Sequence, residues 1–277
     1  MGTLEGFVEP GIPVGLFWVF VVVAILLIGI AKSGVSGMGS LALPMLLTVM
    51  PVDKVAATLL PLLILCDLNA VYHHRRNVVW EQVWRIYIPA LLGIGVGIWV
   101  WWYVGENGVE RYSVPMKRFV GVIALLFGLY ILGKESSFSW LAEHRAGRKW
   151  AVVAGVLAGI TTTIAHAAGP VVSLYMFSQG LGKRLFVGTM AWTFMLLNLT
   201  KLPFYGAIGM IRTDVLLFDL YLVPLIPVGS FLGKWLLGRI SEQGFNRLVM
   251  VLSILAGIEL TFNVRVVQRV LEGVFGV

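Results

Sequence analysis

Four ionisable side chains and a few small polar ones stand inside otherwise apolar runs of this chain. His166 lies in T-T-T-I-A-H-A-A-G-P, which ends at Pro170. Asn198 and Lys201 lie in N-L-T-K-L-P-F-Y, which ends at Tyr205. In the first half, Lys32 heads the stretch K-S-G-V-S-G-M-G-S, which contains Gly37, Gly39 and Ser40, and Asp67 ends the run L-L-P-L-L-I-L-C-D. A lysine at mid-membrane depth costs about 2.5–3.5 kcal/mol or more, so such residues usually mark a partner or a substrate path. The chemistry they suit is capture of a small anion. Each Gly-bearing stretch interrupts a helix and exposes backbone N–H groups where the next helix starts, and those groups together with the helix dipole attract negative charge. Gly37 and Gly39 allow close backbone approach, and Pro170 suits a first helical turn. The candidate anion-binding set is therefore Lys32, Gly37, Gly39, Ser40, His166, Gly169, Pro170, Asn198 and Lys201. Asp67 and His166 are the candidates for carrying a proton.

Each of these residues also has a plainer explanation. Lys201 is four residues before Tyr205 and could snorkel to the interface, and Lys32 could do the same. Lys201 could equally partner Asp67. Asp67 could be tied to Arg75 or Arg76 in the loop that follows. His166 at a helix start could be a packing residue, and Asn198 and Thr189 could bridge helices instead of touching substrate. His73 and His74 precede Arg75 and Arg76, and no metal site is expected there. Trp99, Trp101 and Trp102 read as an interfacial aromatic belt.

The elements that must position these groups follow from composition. The chain is 58% hydrophobic and 13% charged, about half the roughly 25% charge of soluble domains. Its apolar runs are about 18 to 25 residues long, the length that crosses a bilayer. The fold class is an all-α polytopic membrane protein of about 8–10 membrane helices. A β-barrel would show short alternating strands. The net charge of +7 sits mostly in loops, so it points to membrane topology and not to nucleic acid. The one cysteine, Cys66, forms no intramolecular disulfide. The segment Met1–Pro13 has Glu5 and Glu9 and no basic residue, so the apolar run after it reads as a retained span.

In chain order the pattern predicts helices over Gly15–Ile30, Leu41–Met50, Val55–Tyr72, Ile86–Val104 and Phe119–Gly133. Polar loops are expected over His73–Arg85 and Gly105–Arg118. A linker at 134–149 divides the chain into a first membrane repeat, 1–133, and a second, 150–277. The second repeats the plan: helix Trp150–Ile164, a break at Ala165–Pro170, a short helix Val171–Gln179, then spans over Leu185–Tyr205, Asp214–Leu237 and Leu248–Phe262. Residues 150–179 are too few for two full crossings of about 20 residues each, which predicts a re-entrant or broken helix pair in each half. With the N-terminus outside, twelve Lys and Arg face the cytoplasm and seven face outward, leaving Lys32 and Lys201 within the membrane. The halves then enter from opposite sides, as inverted-topology repeats.

No G-x-S-x-G, H-E-x-x-H, P-loop or paired-cysteine pattern is present, so the sequence calls for no enzyme activity, no metal and no cofactor. The partners expected are a small anion and the lipid bilayer, with a homo-oligomer left open. A passive anion channel, an intramembrane enzyme or a structural membrane partner are the alternatives to a secondary transporter.

With these residues in view, the chain resembles the TauE/SafE family of sulfite and organosulfonate exporters. The resemblance rests on Lys32-Ser-Gly34 with Gly37-Met-Gly39, on Pro44 and on the helix ending at Asp67. In the second half it rests on His166-Ala-Ala-Gly-Pro170, on F-V-G-T ending at Thr189, and on Asn198-Leu-Thr-Lys201-Leu-Pro-Phe-Tyr205. It covers nearly the whole chain. It implies two inverted repeats in the cytoplasmic (inner) membrane and export of small sulfur oxyanions such as sulfite, sulfoacetate or related organosulfonates. No arginine sits deep in a span, so binding by lysine and helix dipoles suits a compact anion.

Overall fold

A computed structural model describes residues 6–32, 39–136 and 147–237, with further helical positions between 251 and 262. Its helices are α1 (Val14–Lys32), α2 (Gly39–Val49), α3 (Val52–His74), α4 (Trp80–Asn107), α5 (Val109–Ser136), α6 (Arg148–Ala165), α7 (Gly169–Ser178), α8 (Lys183–Ala207), α9 (Thr213–Leu222) and α10 (Leu225–Leu237). There is no strand among the described residues. That follows from the solvent: inside a bilayer a backbone must satisfy its own N–H and C=O groups, and a helix does so within one segment. Among the described residues α1, α3, α4 and α8 are each long and apolar enough to cross a membrane, and the bent pair α9–α10 makes up to five.

Three expectations are corrected. The polar stretch 105–118 is not a loop: α4 and α5 meet at Gly108, whose φ of 88° lets the chain turn. Glu106, Glu110, Arg111 and Lys117 therefore sit on helix ends, where polarity costs nothing once the helix has left the bilayer. The basic loop after α3 is likewise short, because α4 begins at Trp80. The run 214–237 is not one span; it bends by 41° between α9 and α10. Pro224 explains the bend, since it has no N–H to donate to the carbonyl four residues back. At the linker, α5 runs to Ser136 and α6 opens at Arg148, so both ends of 134–149 are helical and its middle lies outside the described residues.

The helices close through glycine contacts. Gly93 of α4 and Gly159 of α6 face each other so tightly that a Cβ on Gly93 would lie 2.9 Å from the Gly159 Cα and collide with the Val156 carbonyl. In the same way Gly29 of α1 meets Gly229 of α10, and a Cβ on Gly229 would lie 2.6 Å from the Leu26 carbonyl oxygen. Small residues let membrane helices approach until their backbones touch. Between these two tight pairs lie α3 and α8. They run antiparallel: the N–H of Val79, just before α4, donates to the Thr189 hydroxyl (3.0 Å), while Asp67 meets Asn198 further along. Large side chains such as Leu92, Tyr221 and Phe231 point outward at 70–76% exposure, the surface expected against lipid.

A buried lysine at the end of a broken helix

The last turn of α6 is the place where the fold solves a hard problem. A helix that ends inside a membrane leaves its final carbonyls without N–H partners. Here each is met. The Ala167 N–H donates to Thr161 O (3.2 Å) and the His166 N–H to Thr162 O (3.0 Å). The indole N–H of Trp101 donates to Thr163 O (2.9 Å), and the Tyr205 hydroxyl donates to the same oxygen. The Lys201 ammonium donates to Thr162 O and to the Thr162 hydroxyl, both at 3.0 Å. A cation at this position is favoured because the C-terminal end of a helix carries the negative pole of its dipole.

Lys201 is fully buried, at 0% exposure. Snorkelling to the interface is thereby ruled out. The ammonium also donates to His166 Nδ1 (3.1 Å), while His166 Nε2 lies 2.9 Å from the Ala56 carbonyl of α3. A carbonyl only accepts, so Nε2 carries the hydrogen and Nδ1 offers its lone pair to lysine. Lysine, histidine and a helix end thus share one proton-bearing network that joins α3, α6 and α8.

His166 does not start a helix, as the sequence pattern suggested. It ends α6 in the left-handed conformation (φ 48°, ψ 28°), and α7 begins three residues later at Gly169. A non-glycine residue held at positive φ is strained by roughly 1–2 kcal/mol. The ring's two hydrogen bonds offset that cost, which explains why a histidine stands where glycine would be the cheaper residue.

Asn198 stands one turn before Lys201 on α8, and its amide donates to Asp67 Oδ2 at 2.7 Å. Asp67 is completely buried. Its side chain is therefore not the solvated partner of Arg75 or Arg76 that the sequence allowed. Asn198 and Asp67 bridge α3 and α8.

Gly169 and Pro170 form the first turn of α7. A Cβ added to Gly169 would meet nothing within 4 Å, so open space lies beside this helix start. His166, Ala167 and Gly169 are only partly buried, whereas Thr161–Ala165 and Ala168 are buried. The break is thus a reachable point in a buried surround. In the first half Lys32 ends α1, Gly39 and Ser40 open α2, and Gly37 lies outside the described residues. Residues of α2 and α3 share one buried apolar cluster with Ile164, Ala165 and Tyr205 beside the second break.

Sequence reasoning missed Trp101, Thr162 and Tyr205. Trp101 is buried at 3% exposure, whereas Trp99 and Trp102 are 59% and 53% exposed, so only those two suit an interfacial belt. The helical period would have separated them, because positions 99 and 102 share a face and 101 turns away. An apolar groove of about 500 Å³ between α4 and α8, lined by Leu91, Ile98, Trp99, Trp102 and Phe204, contains no charged residue and does not suit an anion. Among the described residues no group of His, Cys, Asp and Glu is arranged to hold a metal ion.

A model of the sulfite exporter TauE/SafE family matches residues 21–260. Comparisons with curated proteins and with solved structures return no match. The family match takes in all the helices described above except the start of α1, including both breaks and the Lys201 network. The chain belongs to the sulfite exporter TauE/SafE family of membrane transporters.

Proposed function

We propose that this protein exports small sulfur oxyanions, sulfite or organosulfonates such as sulfoacetate, across the cytoplasmic (inner) membrane, and that the break between α6 and α7 is half of its binding site. The observation that carries this reading is the convergence of the Lys201 ammonium, the His166 ring and the open first turn of α7 at one point in the bundle. An oxyanion arriving beside Gly169 would find free N–H groups at the α7 start and a cation one helix end away. Lys201 could turn a donor from Thr162 or His166 to the anion, and His166 would then be able to take up a proton. The counterpart from the first half is Lys32 with Gly37, Gly39 and Ser40. Asn198 holds the register of α8 through Asp67, which with His166 is a proton-coupling candidate.

Two inverted repeats, 1–133 and 150–277, joined by 134–149, fit the packing. Exchanging the halves turns the α4–α6 contact into the α10–α1 contact, and both are glycine pairs. The same exchange carries α3 onto α8, which lie antiparallel. Lys54–Asp214 (2.9 Å) and Lys117–Glu9 (2.5 Å) gather the charges assigned to the outer side, in keeping with an N-terminus outside.

The test is flux into proteoliposomes of sulfite, sulfoacetate and sulfate, with and without a pH gradient. Saturable sulfite or sulfoacetate flux that grows several-fold with the gradient is expected. Non-saturating flux indifferent to the gradient would make the protein a channel. Absence of flux for both sulfur anions would remove the substrate assignment.

A further inference from the structure

Asp219 of α9 is the one charged residue between Asp214 and the bend, and the sequence reading passed over it as part of a plain span. It is 4% exposed, and neither carboxyl oxygen has a hydrogen-bond partner. The residues one turn to either side on its face, Val215 and Leu222, are buried at 0% and 1%. Its neighbour Phe218 stacks on Phe7 (4.5 Å) and lies 5.8 Å from Trp18, so this section of α9 is wrapped in apolar and aromatic side chains. Several of the charged groups on the surrounding elements are engaged elsewhere, and others lie toward helix ends. Lys54 of α3 and Arg212 both take Asp214, at 2.9 and 3.2 Å, and Glu9 takes Lys117. Asp67 of α3 accepts from Asn198. Asp53 lies in the first turn of α3, Lys32 at the far end of α1, and Lys234 near the far end of α10.

A bare carboxylate in such surroundings costs several kcal/mol or more, while a protonated acid costs far less. We propose that Asp219 is a further proton carrier of the transport cycle, holding a proton in this conformation and releasing it when the α9–α10 bend changes. The inference rests on the transporter reading above and adds a carboxyl to it. Position supplies the coupling. Asp219 stands five residues before Pro224, where the helix bends by 41°. Beyond the bend, Gly229 locks against Gly29 of α1, and the Ser230 hydroxyl donates to the Gly29 carbonyl (3.3 Å). Helix α1 leads directly into the first break. Movement at the bend therefore changes both what surrounds Asp219 and where α1 ends. On release the proton passes to water admitted at the bend, leaving a carboxylate; uptake reverses this step.

Two measurements test it in reconstituted full-length protein. The first is infrared spectroscopy across a pH titration. Wild type is expected to show a carboxylic-acid carbonyl band at neutral pH that Asp219→Asn lacks; a band unchanged in Asp219→Asn overturns the proposal. The second is the ratio of sulfite flux with a pH gradient to flux without one. Several-fold in wild type, it is expected to fall to about one in Asp219→Asn and to recover in Asp219→Glu. A variant that keeps the wild-type ratio overturns the proposal. Wild type without sulfite flux would remove the substrate reading alone, and the infrared band would then decide.

Discussion

Lys201→Met is expected to reduce saturable sulfite flux to the background of empty liposomes while leaving a folded protein. Methionine nearly matches the length of lysine and removes the burden of a buried charge, and replacing buried charge by apolar bulk is often tolerated. What the variant loses is specific. His166 Nδ1 and the Thr162 hydroxyl are each left without the lysine donor, at a cost of about 1–3 kcal/mol apiece. Thr162 O keeps the His166 N–H, and Thr163 O keeps Trp101 and Tyr205, so the end of α6 stays capped. Thermostability in detergent should fall modestly and flux should fall entirely. A variant that unfolds outright would identify Lys201 as a helix cap before anything else, and full flux would remove it from the site.

His166→Gly separates the backbone role of this residue from its ring. Glycine adopts positive φ freely, so the left-handed turn at the end of α6 is relieved of roughly 1–2 kcal/mol of strain. The ring bonds to Lys201 Nζ and to the Ala56 carbonyl are lost at the same time. The two effects oppose each other, and thermostability is expected to stay close to wild type. Flux is expected to fall by at least tenfold and to lose its dependence on the pH gradient. His166→Val provides the contrast, because a β-branched residue at positive φ adds strain as well as losing the bonds. If His166→Gly transports normally, the ring serves packing alone.

The candidate site residues were readable in the sequence because charge inside an apolar run has no cheap explanation. Lys201, His166, Asn198 and Asp67 stand out on that ground. Their partners were not readable. Lys201 and His166 are held largely by the carbonyls of Thr162 and Ala56, and a carbonyl belongs to every residue alike. The break in H-A-A-G-P was visible, but its geometry was misassigned. His166 was read as starting a helix, yet it ends α6 in the left-handed conformation and Gly169 opens the next helix. Asp219 was overlooked because a single acid one turn from the charged start of a span resembles an interfacial residue; only burial on all sides distinguishes it. The helical extension through 105–118 was hidden for a related reason, since polar residues mark where the bilayer ends and not where the helix does.

The central claim is that the space beside the first turn of α7 receives the anion. Gly169→Leu tests it most directly. Nothing lies within 4 Å of a Cβ at this position, and the φ of Gly169 is ordinary, so the backbone tolerates a side chain. The substitution puts bulk into that space and leaves Lys201, His166 and the end of α6 unaltered in sequence. The measurement is sulfite flux into proteoliposomes by wild type and Gly169→Leu, at matched thermostability. The account predicts a folded variant whose saturable flux is lost. Wild-type flux with unchanged KM in Gly169→Leu would contradict it and place the anion path elsewhere in the bundle.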